Sequence, residues 1–395
     1  MGGVFNPGGG GGGGAAGFAD WKTIGTGGDY DDVQAMIDDS QYRGVLLEDV
    51  TEDSNVTPDA NGLWLNVNGY TYTLGDNNII PSAACVVSIE GGNGEIDWTE
   101  TVSGAEMIDT SVAASTSLVV VKNVTIDQNS SNANNYLTVI STETVLENVT
   151  FECPNADVGT FSFLNSKSRA DNIVIVSGGT SCRPRVTITS GVLDNIVFNG
   201  DFSTASACLD IGADGVVSNF LSDGDCEIEV DGGLLSNAKG EGGELDLNVR
   251  QNSHIVNFDS ETSTGSQIFI VTGPVHMVNC RGDISSAISS NENQFTNCTF
   301  EGGLTVSGDG NVLENCDYTS TLTVSSGADG NSFSGLFEGT VSITGSNNRV
   351  EGQFKTGIAC TINSGAQYND VDVTIDQAVT DNSGNATNSI AQIIY

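Results

Sequence analysis

FTNCTFEGGLTVSGDGNVLENC, residues 295–316, holds one four-residue phrase twice, as Phe295-Thr296-Asn297-Cys298 and Leu313-Glu314-Asn315-Cys316. An apolar residue, a spacer, an asparagine and a second apolar residue or cysteine return in this order through most of the chain. Earlier instances centre on Asn123, Asn148, Asn195, Asn219, Asn257 and Asn279, Asn172 and Asn237 fill the gaps, and glycine takes the place of asparagine at Gly335 and Gly352. From Asn123 to Gly352 the successive spacings are 25, 24, 23, 24, 18, 20, 22, 18, 18, 20 and 17 residues. Asn and Gly are the residues that most readily take a backbone with positive φ. The column therefore reads as one turn with a strand on each side, repeated about every 21 residues, a period that marks solenoids.

A second column agrees with the first. GLTVSG at 303, TLTVSS at 321, TVSITG at 340 and ACTINS at 359 recur at 18 or 19 residues and alternate apolar with polar, as half-buried strands do. The expected fold is all-β, a right-handed parallel β-helix. Stacked rungs put like above like, so side-chain amides can bond in ladders along the coil axis and Cys280, Cys298 and Cys316 can stack inward. At about 4.8 Å per rung the asparagine column covers roughly 50 Å of axis, which predicts a rod.

Fifty glycines against six prolines suit many short strands joined by tight turns. The charge is lopsided, with 51 Asp+Glu facing 12 Lys+Arg for a formal net charge of −39. Such a surface repels nucleic acid, whose phosphates need clustered Lys and Arg, and it disfavours anionic membrane faces. It is most comfortable where dense counterions screen it, which predicts a halophilic source. No stretch of 18 apolar residues exists, so no membrane insertion is expected, and the N-terminus lacks the basic region and apolar core of a secretory signal.

Residues 1–18 form a glycine-rich arm too poor in apolar surface to fold alone. Residues 19–116 are assigned to an N-terminal cap and the first rungs, 117–375 to the shaft, and 376–395 to a C-terminal cap or oligomerisation segment. In the cap, Asp29 or Asp31 is positioned to start a short helix with Val33, Met36 and Ile37 on one face.

The nine cysteines form no CxxC pair, so neither a zinc site nor a disulfide framework is indicated, and buried thiols acting as small hydrophobes are expected. The densest group of chemically capable residues is Asp223-Gly-Asp-Cys-Glu-Ile-Glu-Val-Asp231. Cys226, Ile228 and Val230 should point inward, leaving Asp225, Glu227, Glu229 and Asp231 along one outer face, joined on the next rung by Glu241, Glu244 and Asp246. A solvated acidic face is the expectation for that stripe, with cation or sugar binding as the sharper reading. Arg183, Arg185, Arg250 and Arg281 are expected to be ion-pair partners in an acidic surface.

The asparagine ladder, the mixed rung length and the segment TIGTGGDYDDVQAMIDD resemble the pectin-lyase-like β-helix superfamily, and within it the shafts of tailed-virus spike and fibre proteins. The resemblance covers roughly residues 19–375. It implies a virion-surface spike, turret or fibre, here of a virus with a halophilic archaeal host. Such a protein would bind other virion proteins through its N-terminal arm, form a homo-oligomer, and attach to a host-surface glycan or surface-layer protein. Enzymes in that superfamily need paired carboxylates, or Ca²⁺ with an Arg or Lys base. The NTD and HG signatures of polygalacturonase-like members are missing, since His254 precedes Ile255 and His276 precedes Met277. No catalytic residue, cofactor or metal ligand is assigned. A depolymerase spike and a cell-surface adhesin are the alternative expectations.

Overall fold

The computed structural model describes residues 20–99, 106–110, 118–128, 137–139, 143–153, 159–163, 166–177, 185–200, 208–241, 243, 245–260, 268–270, 273–282 and 286–394. Within these the chain is an all-β parallel solenoid of about 14 turns with almost no helix. The glycine-rich arm lies outside the described residues, as do Arg183 and Glu244. Two compact units divide the chain, Met1–Ser203 and Thr204–Tyr395.

In the first unit the strands Leu63–Asn66, Val86–Trp98, Leu118–Gln128, Glu143–Cys153, Arg169–Ser177 and Arg185–Asn199 pair in parallel, each with the next. Register carries one buried column through Ile89, Val121, Leu146, Ala170 and Leu193, and a second through Ile96, Ile126, Phe151, Ile175 and Phe198. Between the two columns stands the asparagine turn. With strands on both sides of it, the left-handed residue swings the chain so that both flanking apolar residues face inward.

One helix occurs among the described residues, α1 (Val33–Asp38), six residues long, with Val33, Met36 and Ile37 buried as expected. Its cap differs from expectation. Asp32 is the N-cap and accepts a hydrogen bond from the Ala35 N–H at 2.6 Å, whereas Asp29 is engaged by the Thr23 N–H at 2.9 Å and the Thr23 hydroxyl at 3.0 Å. The Thr23 contacts hold Asp29 in the preceding turn, out of reach of the helix. A second acceptor comes from a later strand: the Glu52 carboxylate takes the Val33 N–H at 2.8 Å although Glu52 is only 3% exposed.

In the second unit the rungs shorten. Strands such as Leu304–Val306, Leu322–Val324, Val341–Ile343 and Cys360–Ile362 pair in parallel without a shift in register. Their buried residues stack on Phe300, Tyr318, Phe337 and Phe354, whose rings run face to face at 6.0, 4.6 and 4.6 Å between centroids.

All ten ladder asparagines adopt φ between 53° and 56°. Their amides link rung to rung: Asn148 to Asn123 at 2.8 Å, Asn172 to Asn148 at 2.7 Å, and, in the second unit, Asn237 to Asn219 at 3.1 Å and Asn257 to Asn237 at 2.8 Å. Asn279 and Asn297 continue this series at 3.1 and 3.3 Å, while Asn195 donates to Asp171 at 2.8 Å. Gly335 and Gly352 occupy the column with a different backbone, φ 140° and 147°. Their reason for being glycine is also different. A Cβ on Gly335 would stand 1.9 Å from the Cys316 carbonyl oxygen, and one on Gly352 would stand 2.1 Å from the Gly335 carbonyl oxygen.

A further ladder lies inside the coil, four residues ahead of the turn column. Asn293, Asn311, Asn331, Asn348 and Asn369 are at most 1% exposed. The Oδ1 of each accepts the backbone N–H of the one before: Asn293 N to Asn311 at 3.0 Å, Asn311 N to Asn331 at 2.8 Å, Asn331 N to Asn348 at 2.9 Å, and Asn348 N to Asn369 at 2.9 Å.

Two measurements of stability check this account. At Asn297, a change to Val should cost about 1–3 kcal/mol more than a change to Gly, because a branched side chain resists positive φ; at Asn331, a change to Leu should cost about 1–3 kcal/mol by leaving buried N–H groups unpaired. Thermal melts in which Asn297→Val and Asn297→Gly lose the same stability would remove the left-handed strain from the explanation. The second concerns Glu52, whose carboxyl is pushed by burial from 4.5 up to about 6. Folding thus favours its protonated form, and that contribution is complete below about pH 4.5 and lost as the pH rises through about 6. The melting temperature of the wild type should therefore fall more between pH 5 and pH 7.5 than that of Glu52→Gln, which keeps the acceptor for Val33. Parallel pH curves for the two proteins would contradict the burial of an ionising group.

Candidate functional site

The outer surface of the second unit carries three groups of polar residues that chemistry could use. The first is the acidic stripe. Cys226, Ile228 and Val230 are fully buried, and Glu227 and Glu229 alternate with them at half-buried positions. Register sets Asp210 beside Glu229 and Glu227 beside Asp246, so carboxylates neighbour one another across rungs. Asp225 is half-buried at the start of the stripe and Asp231 exposed at its end. Two contacts offset the repulsion: Arg250 pairs with Glu229 at 2.6 Å, and the Asn248 amide donates to Glu227. Glu241 lies apart, held by Lys239. Arg281 pairs in the same way with Glu301 through its Nε at 2.8 Å, and the side chain of Arg185 is outside the described residues. Asp210, Glu227, Glu229 and Asp246 form an open surface with no enclosing walls.

The second group is the histidine pair. His254 and His276 occupy the same place on adjacent rungs, with Gln294 next in the column. Their rings meet edge to face at 87°, with the His276 Nδ1 3.1 Å from the His254 Nε2. Burial and, after it, the neighbouring His276 hold His254 below the usual histidine range. Beside His254 opens a shallow groove of about 410 Å³ that also touches Asp214 and Asn252.

The third group was not singled out by the sequence reading, although its strands were. On the strands Leu304–Val306, Leu322–Val324, Val341–Ile343 and Cys360–Ile362 the outward column is Thr305, Thr323, Ser342 and Thr361. A parallel column follows two residues on at Ser307, Ser325, Thr344 and Asn363, and Thr321 and Thr340 flank the first on its other side. The Thr321 and Thr340 hydroxyls meet at 3.2 Å, and the Asn363 amide donates to Ser342 at 2.8 Å and to Thr344 at 3.1 Å. None of these ten positions is charged. In a chain of net charge −39 that is a segregated surface, and the signal for it was present in the repeated TLTVSS and TVSITG phrases.

The thiols belong to the core. Cys226, Cys280, Cys298, Cys316 and Cys360 are buried, and burial pushes Cys226 and Cys280 well up and Cys360 to about 12. Thiolate chemistry is disfavoured there. Cys280, Cys298 and Cys316 each direct their Sγ at the carbonyl two residues earlier, at 3.4, 3.5 and 3.5 Å. No cluster of three or more His, Cys, Asp or Glu among the described residues is placed to hold a metal ion, and no helix among them is long and apolar enough to cross a membrane. No protein-family model matches the chain, and neither a curated protein nor a solved structure does.

Like charges opposite one another on neighbouring strands destabilise the pair, and the effect shrinks with the Debye length, about 10 Å at 0.1 M salt and 3 Å at 1 M. Melting temperature should therefore climb steeply from low to molar salt. Glu227→Gln, which keeps an acceptor for Asn248, should melt higher than the wild type at low salt and level with it at molar salt. A wild-type melting temperature that ignores salt would show that the acidic surface is not under repulsive load.

Proposed function

We propose that the protein is a non-enzymatic attachment component of a virion surface, a spike, turret or fibre whose right-handed coil presents the uncharged hydroxyl face to a host-surface glycan or surface-layer protein. The observation that carries this reading is the charge-free array around Thr305, Thr323, Ser342 and Thr361 on a chain of net charge −39. A neutral polysaccharide is a periodic array of hydroxyls, and donors and acceptors repeated at the rung spacing of about 4.8 Å can engage it along its length. Each contact is weak, and copies in an oligomer add them through multivalency.

In this reading residues 1–18 tether the protein to other virion proteins, α1 covers the lower end of the coil, and the salt of a halophilic archaeal host screens the acidic rungs. The carboxylates of the stripe support binding better than turnover. Catalysis needs a few groups of matched pKa in a fixed, water-excluding geometry, and the stripe is open to solvent on its outer side.

The test incubates purified full-length protein with neutral envelope polysaccharide and follows adsorption together with the release of new reducing or unsaturated ends. Adsorption without new ends, weakened at least tenfold by Thr323→Glu with Ser342→Glu, is the expected result. New ends that disappear in Asp225→Asn with Glu227→Gln would assign the protein to the depolymerases instead.

A further inference from the structure

We propose that His254 and His276 form a two-imidazole chelate for one divalent transition-metal ion on the outer surface of the second unit. This goes beyond the attachment reading and does not depend on it. The chain has only two histidines, and the coil brings both to one column on adjacent rungs, 22 residues apart. Their facing nitrogens, His254 Nε2 and His276 Nδ1, are 3.1 Å apart. A metal bound to both at about 2.0–2.1 Å would subtend an N–metal–N angle of roughly 95–100°, between the octahedral and tetrahedral values. The two nitrogens are thus already separated by the bite of a cis pair of ligands.

Without metal, one ring donates its N–H to the other across this gap. Metal binding requires a lone pair on both facing nitrogens, so the donating ring shifts its proton to the nitrogen on its far side. Both rings stay neutral, each keeping one N–H, and no proton is released. Burial already holds His254 in the neutral form that binding needs. Imidazole donors select Zn²⁺, Ni²⁺ and Cu²⁺ over Mg²⁺ and Ca²⁺, which prefer oxygen. The surrounding column agrees with that choice, since Leu234 precedes the pair and Gln294 and Val312 follow it, none of them a carboxylate. The net charge of −39 raises the local concentration of any cation. Two protein ligands leave the remaining coordination positions to water or to an oxygen of a bound molecule.

The experiment uses the full chain. Equilibrium dialysis against ZnCl₂ in molar NaCl with excess MgCl₂, which suppresses loose binding to carboxylates, should find one zinc per chain, and zinc should raise the melting temperature. Both effects should vanish in His254→Gln and in His276→Gln. These positions lie on the outer surface, and equal metal-free melting temperatures would establish that the variants fold. Electron paramagnetic resonance of the Cu²⁺ form of the wild type, which needs no variant, should show coupling to two imidazole nitrogens. Zinc retained in the double variant, or a copper spectrum without nitrogen coupling, would overturn the proposal by assigning the ion to carboxylates.

Discussion

A coil whose strands stack in register must solve the same polar problem at every turn, because each rung brings a backbone N–H into the interior where water cannot reach it. Leaving such a group unpaired costs about 1–3 kcal/mol, and a solenoid would incur this once per rung. The inner asparagines solve it. Asn311, Asn331, Asn348 and Asn369 each offer Oδ1 to the N–H of the preceding rung, and Asn311 offers the same oxygen to the Asn293 amide at 2.7 Å. Where a rung carries Ser253 instead, its hydroxyl accepts from the Gly232 N–H at 2.9 Å and donates to the Arg250 and Val230 carbonyls at 2.6 and 3.0 Å. The apolar columns, the aromatic stack and the outward faces all inherit their register from this repeated solution.

The turn column was legible because positive φ restricts residue identity, and Asn recurring among apolar neighbours leaves a periodic mark. The inner ladder was not, although Asn293, Asn311, Asn331, Asn348 and Asn369 recur at 18, 20, 17 and 21 residues. Hydropathy reading assigns asparagine to the surface, and only the stacked geometry shows five of them almost entirely buried. Gly335 and Gly352 look like substitutes for Asn in the sequence, yet they answer a close approach of carbonyl oxygens from the rung below. The helix was placed correctly, but three acidic residues within four positions, Asp29, Asp31 and Asp32, gave no means of choosing the cap. At the candidate surfaces, the alternation of Cys226 with Glu227 predicted which side chains face out. The meeting of His254 with His276 depends on rung length, and the loop between them could not be measured from the sequence.

The few basic residues are spent mostly between rungs. Lys122 reaches Glu147, Arg250 reaches Glu229, Arg281 reaches Glu301 and Lys355 reaches Glu338, each pairing separated by roughly one turn of coil. Exposed pairs of this kind contribute about 0–1 kcal/mol apiece, too little to balance the excess of 39 negative charges. Cohesion comes instead from the dry interior, where in-register strands bury Val, Ile, Leu and Phe on every rung. The acidic residues can therefore vary in number without altering the fold.

The inner ladder runs one way. Every asparagine in it gives its N–H toward the C-terminus and receives one from the N-terminal side, so each rung presents the same pair of connectors to its two neighbours. A rung is consequently an interchangeable module. Duplication or loss of one whole repeat of about 20 residues joins matching connectors and leaves the neighbouring rungs as they were, whereas an insertion of any other length within a strand would throw inward residues outward. Inheritance can lengthen or shorten such a coil only in whole rungs.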